Sequence, residues 1–194
     1  MKSICIFSGS SDTPHADYKS AARTMGILLA ERGLRLIYGG GKTGLMGAVA
    51  DGALSAGGEV IGVIIPSMNN QALAHDGLTC MDVPSDMHAR KARMHELADG
   101  FIALPGGYGT FDELFETITW SQIGHHQKPI GLLNTKNYYA PLLAAIDHAV
   151  TEGFIFKEHR DALICDSDPN KLLDAMAAYE HPHEAVKRWM RNEG

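Results

Sequence analysis

Phe101-Ile102-Ala103-Leu104-Pro105-Gly106-Gly107-Tyr108-Gly109-Thr110-Phe111-Asp112-Glu113 is the stretch whose reading decides the fold of this 194-residue chain. Four apolar residues read as a short buried strand. A glycine-rich turn follows, and Phe111, Leu114, Phe115 and Ile118 then recur at helical spacing. Backbone without Cβ atoms lets a ligand approach closely, and the free N–H groups of a helix start attract anions. Strand, glycine turn and helix start together point to a phosphate cradle, with Glu113 in the first helical turn beside it. A second reading is open at this point. Thr110-x-x-Glu113 fits a capping box, in which Thr110 caps the helix and Glu113 bonds back to the cap.

Working outward, the same alternation recurs. Ser3–Phe7 reads as a strand ending in Gly9-Ser10-Ser11, and Thr13-Pro14 opens a helix to Glu31, with Thr13 or Asp12 as cap and Gly33 as stop. Leu34–Tyr38 is a second strand, followed by Gly39-Gly40-Gly41-Lys42-Thr43-Gly44 and a helix ending near Gly57-Gly58. Val60–Ile65, Leu78–Val83, Pro129–Leu133 and Ala162–Cys165 are further strands. Asp86–Asp99, Phe111–Ile123 and Tyr138–Val150 read as helices, 67–77 as loop or short helix. Asp168 caps a last helical region reaching Trp189. Strands alternating with helices predict an α/β fold: a Rossmann-like, doubly wound parallel sheet in a single domain covering 1–194, with 170–194 as a C-terminal helical segment. The turns Gly9–Ser11, Gly39–Gly44 and Gly106–Thr110 all follow strands, so all lie on the carboxyl edge, where such sheets bind ligands.

Composition limits what binds there. Apolar residues make up 45% and charged residues 21% of the chain, the balance of a globular protein with a full-sized core. A formal net charge of −6 argues against nucleic acid as a partner, so an anionic ligand must be attracted locally. No apolar run approaches the ~20 residues that span a bilayer, and Met1-Lys2 leads straight into a strand-like run too short for a signal segment. Cys5, Cys80 and Cys165 are odd in number and widely spaced in apolar surroundings. They read as reduced core thiols of a cytoplasmic protein, with no metal-ligand spacing.

Gly39-x-Gly41-x-x-Gly44 formally matches the dinucleotide fingerprint. It follows the second strand, however, and no acidic residue ends the next strand to hold a ribose; Glu59 begins it. Gly41-Lys42-Thr43 resembles the tail of a P-loop, but the required first glycine falls at Leu36. The helix at 86–99 carries a more unusual pattern. Met87, Arg90, Lys91 and Met94 share one face, so two cations interrupt an apolar stripe near a helix start, where the dipole disfavours them. Lys91 alone could snorkel into water. For the pair, a bound anion or a buried carboxylate partner is the more economical account.

Pro105-Gly106-Gly107-Tyr108-Gly109-Thr110-Phe111-Asp112-Glu113 resembles the PGGxGTxxE signature of the Lonely Guy family, and Met87-His88-x-Arg90-Lys91-x-x-Met94 is similar to its second signature. The resemblance continues through Gly9-Ser10-Ser11, Tyr38-Gly39-Gly40-Gly41-x-x-Gly44-Leu45-Met46-Gly47 and Thr119-Trp120-x-Gln122, over about residues 3–165. It implies a cytokinin riboside 5′-monophosphate phosphoribohydrolase, which splits nucleoside 5′-monophosphates, AMP included, into free base and ribose 5-phosphate. It also implies no metal or organic cofactor, and a homodimer. Arg90 is by resemblance the second catalytic residue beside Glu113. Substrate contacts are implied at Gly9, Ser10, Gly40, Gly41, Met87, Lys91, Gly106, Gly107, Tyr108, Gly109, Thr110 and Thr119. Proteins of this kind often carry a lysine decarboxylase label, for which no lysine here stands in a pyridoxal-phosphate context.

The chemistry of such a reaction suggests a role for Glu113. Breaking an N-glycosidic bond builds positive charge on the ribose, which a neighbouring carboxylate stabilises while activating water. N–H groups of Gly107, Gly109 and Thr110 would hold the 5′-phosphate. His88 is a general-acid candidate by chemistry only, while Asp112 and Glu116 read as outward-facing or supporting. Two other classes fit the same crevice: a nucleotide-binding or carrier protein without chemistry, and a dinucleotide oxidoreductase.

Overall fold

A computed structural model describes residues 1–184 of the chain. Seven strands and seven α-helices follow in the order β1 (Ser3–Phe7), α1 (Ala16–Glu31), β2 (Arg35–Tyr38), α2 (Gly44–Ser55), β3 (Val60–Val63), β4 (Cys80–Asp82), α3 (Met87–Leu97), β5 (Gly100–Ala103), α4 (Tyr108–Gln122), β6 (Ile130–Leu133), α5 (Ala140–Thr151), α6 (Lys157–Asp161), β7 (Leu163–Asp166) and α7 (Pro169–Ala177). All pairings are parallel, in the order β4-β3-β2-β1-β5-β6-β7. The winding therefore reverses between β1 and β5, which pair through Phe7 and Ala103 at their carboxyl ends.

The strands are covered on both faces, and their apolar runs follow from that. In β1, Ile4 and Ile6 pack with Met25 and Leu29 of α1 and Val49 of α2. Cys5 and Phe7 point the other way, to Met94 of α3, Leu114 of α4 and Ile146 of α5. Among the described residues no helix is long and apolar enough to cross a membrane.

Several boundaries differ from the sequence reading for identifiable reasons. α1 begins at Ala16, capped by His15, whose Nδ1 accepts from the Asp17 amide at 3.3 Å. Asp12 does not cap this helix; its carboxylate is drawn to the Gly44 amide (3.1 Å) and to Lys19. α4 opens three residues earlier than the apolar spacing implied, at Tyr108, so Glu113 lies in its second turn. The short α6 has too few residues to show a period. Residues 66–68 form a single 3-10 turn, and Asp168 caps α7 through the Asn170 amide at 2.8 Å. The helix ends at Ala177; of the expected continuation to Trp189, the part from 185 onward lies outside the described residues. Cys5 is buried and Cys165 half-buried, but Cys80 is exposed, because β4 is a three-residue edge strand; all three thiols are free.

Candidate active site

Because β2, β1 and β5 are neighbours, the three glycine- or serine-rich turns that leave them meet at one edge of the sheet. They enclose, with α3 and the 66–75 segment, a cleft of about 460 Å³. One end is apolar, walled by Met46, Ile64, Met68, Leu73 and Met87; the other holds Gly107, Tyr108, Gly109 and Thr110.

Two helices start at this cleft, and their amides are used differently. At α2, the Gly44 amide donates to Asp12, while those of Leu45 (2.9 Å) and Met46 (3.3 Å) donate to the Gly9 carbonyl. Gly44 holds a φ of +61°, and a Cβ there would lie 2.5 Å from the Ser10 carbonyl carbon. The Gly39-x-Gly41-x-x-Gly44 loop is thus folded against β1's turn, and its helix start offers no free amide to a pyrophosphate. At α4, the first amide with a backbone acceptor is that of Phe111, bonded to the Gly107 carbonyl at 3.0 Å. Tyr108, Gly109 and Thr110, the three positions before it, have no acceptor within the helix. The cap is Gly107, which has no side chain to reach them, so the capping-box reading of Thr110 and Glu113 does not hold. Thr110 is instead buried, its hydroxyl against Gly106, where a Cβ would come within 2.1 Å of Oγ1. An anion is the natural partner for three helix-start amides that lack a helical acceptor and belong to residues lining the cleft.

Arg90 and Glu113 face each other beside this start. Arg90 is 9% exposed; its Nε donates to the Val63 carbonyl (2.8 Å) and Nη1 to Glu113 Oε1 (3.0 Å). The buried carboxylate partner expected for the cationic stripe is therefore Glu113, and Arg90 does not snorkel. Burial raises the Glu113 carboxyl above its ordinary value, and the charge and hydrogen bond of Arg90 pull it partly back. Lys91, one residue on, turns to Glu116 Oε1 (3.0 Å) and Asp112 Oδ2 (3.2 Å). Burial alone would lower its ammonium, but the hydrogen bonds to Glu116 and Asp112 outweigh this and hold it above its ordinary value.

Of the residues singled out by sequence, Gly9, Ser10, Gly41, Met87, Arg90, Lys91, Gly107, Tyr108, Gly109, Thr110 and Glu113 line the cleft. Tyr108 stands at its mouth, 96% exposed. Gly40 and Gly106 shape the turns without lining it: the Gly40 carbonyl accepts from the His75 amide, and Gly106 packs on Gly9 behind the loop. Thr119 does not reach the cleft, because α4 carries it away from the sheet edge; it is exposed and its hydroxyl donates to the Phe115 carbonyl. His88 is exposed and outside the cleft as well.

Sequence reasoning missed Ser8 and most of the apolar wall, and reached Gly39 and Thr43 only as members of the Gly39–Gly44 turn. Ser8 Oγ is buried with no hydrogen-bond partner among the described residues. A Cβ on Gly39 would lie 2.4 Å from Arg90 Nη2, so this glycine makes room for the guanidinium. Nothing in the spacing of Gly39 and Arg90 signals that contact.

Comparison with known proteins places this geometry among relatives. A family model described as "Possible lysine decarboxylase" matches residues 46–176. The cytokinin riboside 5′-monophosphate phosphoribohydrolase of Rhodococcoides fascians is 47% identical over 182 residues, 93% of this chain and 90% of that protein. A protein of the same name from Arabidopsis thaliana is 43% identical over 192 residues, 97% of this chain and 90% of its own. Among solved structures, the molybdenum cofactor binding protein of Rippkaea orientalis superimposes with a TM-score of 0.70 at 25% identity, covering 92% of this chain and 97% of that one. The molybdenum cofactor carrier protein of Chlamydomonas reinhardtii shares the fold, with a TM-score of 0.67 at 19% identity over 91% of this chain and 96% of its own.

Proposed function

Since this chain belongs to the Lonely Guy family of cytokinin riboside 5′-monophosphate phosphoribohydrolases, we propose that its cleft hydrolyses the N-glycosidic bond of nucleoside 5′-monophosphates, AMP among them. The observation that carries this reading is the buried Arg90–Glu113 pair set beside the unpaired amides of a helix start. The 5′-phosphate takes the amides at Tyr108–Thr110, the base takes the apolar wall of Met46, Met68 and Leu73, and the ribose lies between them against Glu113.

In the reaction the C1′–N bond breaks and its electron pair leaves with the base. The ribosyl carbon becomes cationic, and Glu113 is the anion that stabilises it. Water adds its oxygen to C1′ while Glu113 accepts a water proton, and a proton ends on the departing base. A carboxyl raised by burial is a better proton acceptor than an ordinary one. Arg90, fixed by Val63, orients Glu113 and holds it ionised. No organic cofactor enters this scheme.

The decarboxylase description of the family model fits these residues poorly. A Schiff-base lysine needs a neutral amine, whereas Lys91, which lines the cleft, is held as an ammonium by two carboxylates.

We also propose that the protein forms a homodimer. Phe115 (42% exposed), Thr119 and the C-cap residue Ile123 (40% exposed) follow at i, i+4 and i+8 along the outer face and end of α4, a stripe suited to a second copy. Burial there would give Thr119 a place in the assembly. The sheet and its helices act as one nucleotide-binding domain, and a cytoplasmic location fits the three free thiols.

One assay tests the central reading: purified protein is incubated with AMP and the products are separated by chromatography. Free adenine and ribose 5-phosphate in equal amounts are expected. AMP bound but recovered intact would leave a carrier, the role named for the Chlamydomonas reinhardtii protein of this fold.

A further inference from the structure

Behind the cleft, α3 and α4 are joined a second time. Arg90 and Glu113 form the front link; His95 and Thr117, farther along the same two helices, form the rear one. Thr117 Oγ1 lies 2.7 Å from the Glu113 carbonyl oxygen and 3.1 Å from His95 Nε2. A carbonyl only accepts, so the single hydroxyl proton of Thr117 goes to Glu113. The oxygen must then accept from His95, which places a proton on Nε2, as in the neutral Nε2–H tautomer. The surroundings favour that form. The ring lies 4.5 Å from both Phe101 and Trp120, the His95 carbonyl accepts from Lys128, and Thr117 is fully buried.

We propose that His95 and Thr117 are positioning residues for Glu113, their two hydrogen bonds fixing the helical turn that carries the carboxylate at the depth where it meets the sugar. The proposal rests on the phosphoribohydrolase reading above. The front link alone leaves Glu113 free to pivot about Arg90, because the two meet through one guanidinium nitrogen and one carboxylate oxygen. The rear link ties the main chain of the same residue. A polar bridge in a ring-lined interior costs desolvation that an apolar pair would avoid, so it is retained for geometry rather than for packing. Loss of one such uncharged bond moves a rate by about 3- to 10-fold.

The test uses Thr117→Val, which keeps the shape and removes the hydroxyl, and Thr117→Ser, which restores it, with kcat and KM measured on AMP. Thr117→Val is expected to lower kcat about 3- to 10-fold with KM unchanged within twofold, and Thr117→Ser to return it. In a Glu113→Gln background the same change should have no further effect, because the carboxylate it positions is gone. A Thr117→Val protein that loses only thermal stability, or the same fold-loss with Glu113→Gln, would overturn the proposal. Should Thr117→Val fail to fold, His95→Phe removes the donor while filling the ring cage and is judged by the same kcat criterion. Wild-type protein that releases no adenine refutes the enzymatic reading itself, a result distinct from either outcome.

Discussion

Arg90 Nη1 and Glu113 Oε1 stand 3.0 Å apart although they come from different helices, each largely withdrawn from solvent. A buried ion pair is poor at stabilising a fold, since desolvation consumes most of its attraction. Its retention at the mouth of a parallel sheet is better explained by chemistry.

Glu113→Gln keeps the side-chain shape and removes the charge. AMP turnover is expected to fall by about 10²–10⁴, the range for one positioned acid–base group, while AMP binding by calorimetry survives. Turnover within a few-fold of wild type would remove Glu113 from the mechanism.

Arg90→Met strands the carboxylate beside it. Breaking a buried pair from one side costs about 3–5 kcal/mol, and uptake of a proton by Glu113 limits the damage. Arg90→Met with Glu113→Gln should be more stable than Arg90→Met alone, by denaturant midpoint. If the two losses simply add, the pair is not coupled in the way the geometry requires.

The glycines of the 106–109 turn should divide into two kinds. A Cβ on Gly109 would meet nothing within 4 Å, so Gly109→Ala should fold at least as well as wild type while crowding an anion at the helix start. A raised KM for AMP with an undiminished Tm is expected. Gly106→Ala would drive its methyl against Thr110 Oγ1 and the Gly9 amide, and should lose both stability and turnover.

On the proposed mechanism the acid limb of kcat/KM should report Glu113. Burial raises its carboxyl above 4.5, so activity should fail on acidification at a higher pH than an ordinary glutamate would give. Arg90 opposes that rise, so Arg90→Lys, a looser partner, should move the limb to higher pH still. A limb at or below the ordinary value would contradict the assignment.

Acid stability follows from two imidazoles. Burial lowers His95 from 6.5 to about 3 and His126 to about 4, so the folded state resists protons that the unfolded chain accepts. Both contributions are complete above pH 6.5 and decline as pH falls from there toward 4. Tm should drop between pH 6.5 and 4.5, and His126→Gln should make that drop shallower.

Much of this was legible in the chain itself, for physical reasons that can be named. The strand–turn–helix rhythm survives in sequence because both faces of the central strands are covered, so β1, β2 and β5 each hold a run of at least three apolar residues. Arg90 betrayed itself as a cation on an apolar helix face. Glycine spacing could not tell the occupied start of α2 from the open start of α4, since the difference lies in Asp12 and the Gly9 carbonyl, more than thirty residues upstream of the first. Ser8, and the place of Gly39 against Arg90, were silent because they arise from contacts between distant segments. Thr119 reads as part of a motif, yet helix geometry turns it outward.

The peptide units around Gly9 tie these loops together. Its amide donates to Pro105, and its carbonyl takes the amides of Leu45 and Met46, so three turns from separate strands are riveted at one residue before any nucleotide arrives. On the proposed function, nucleotide capture would then demand little ordering of the chain, and its rate is expected to follow encounter rather than rearrangement.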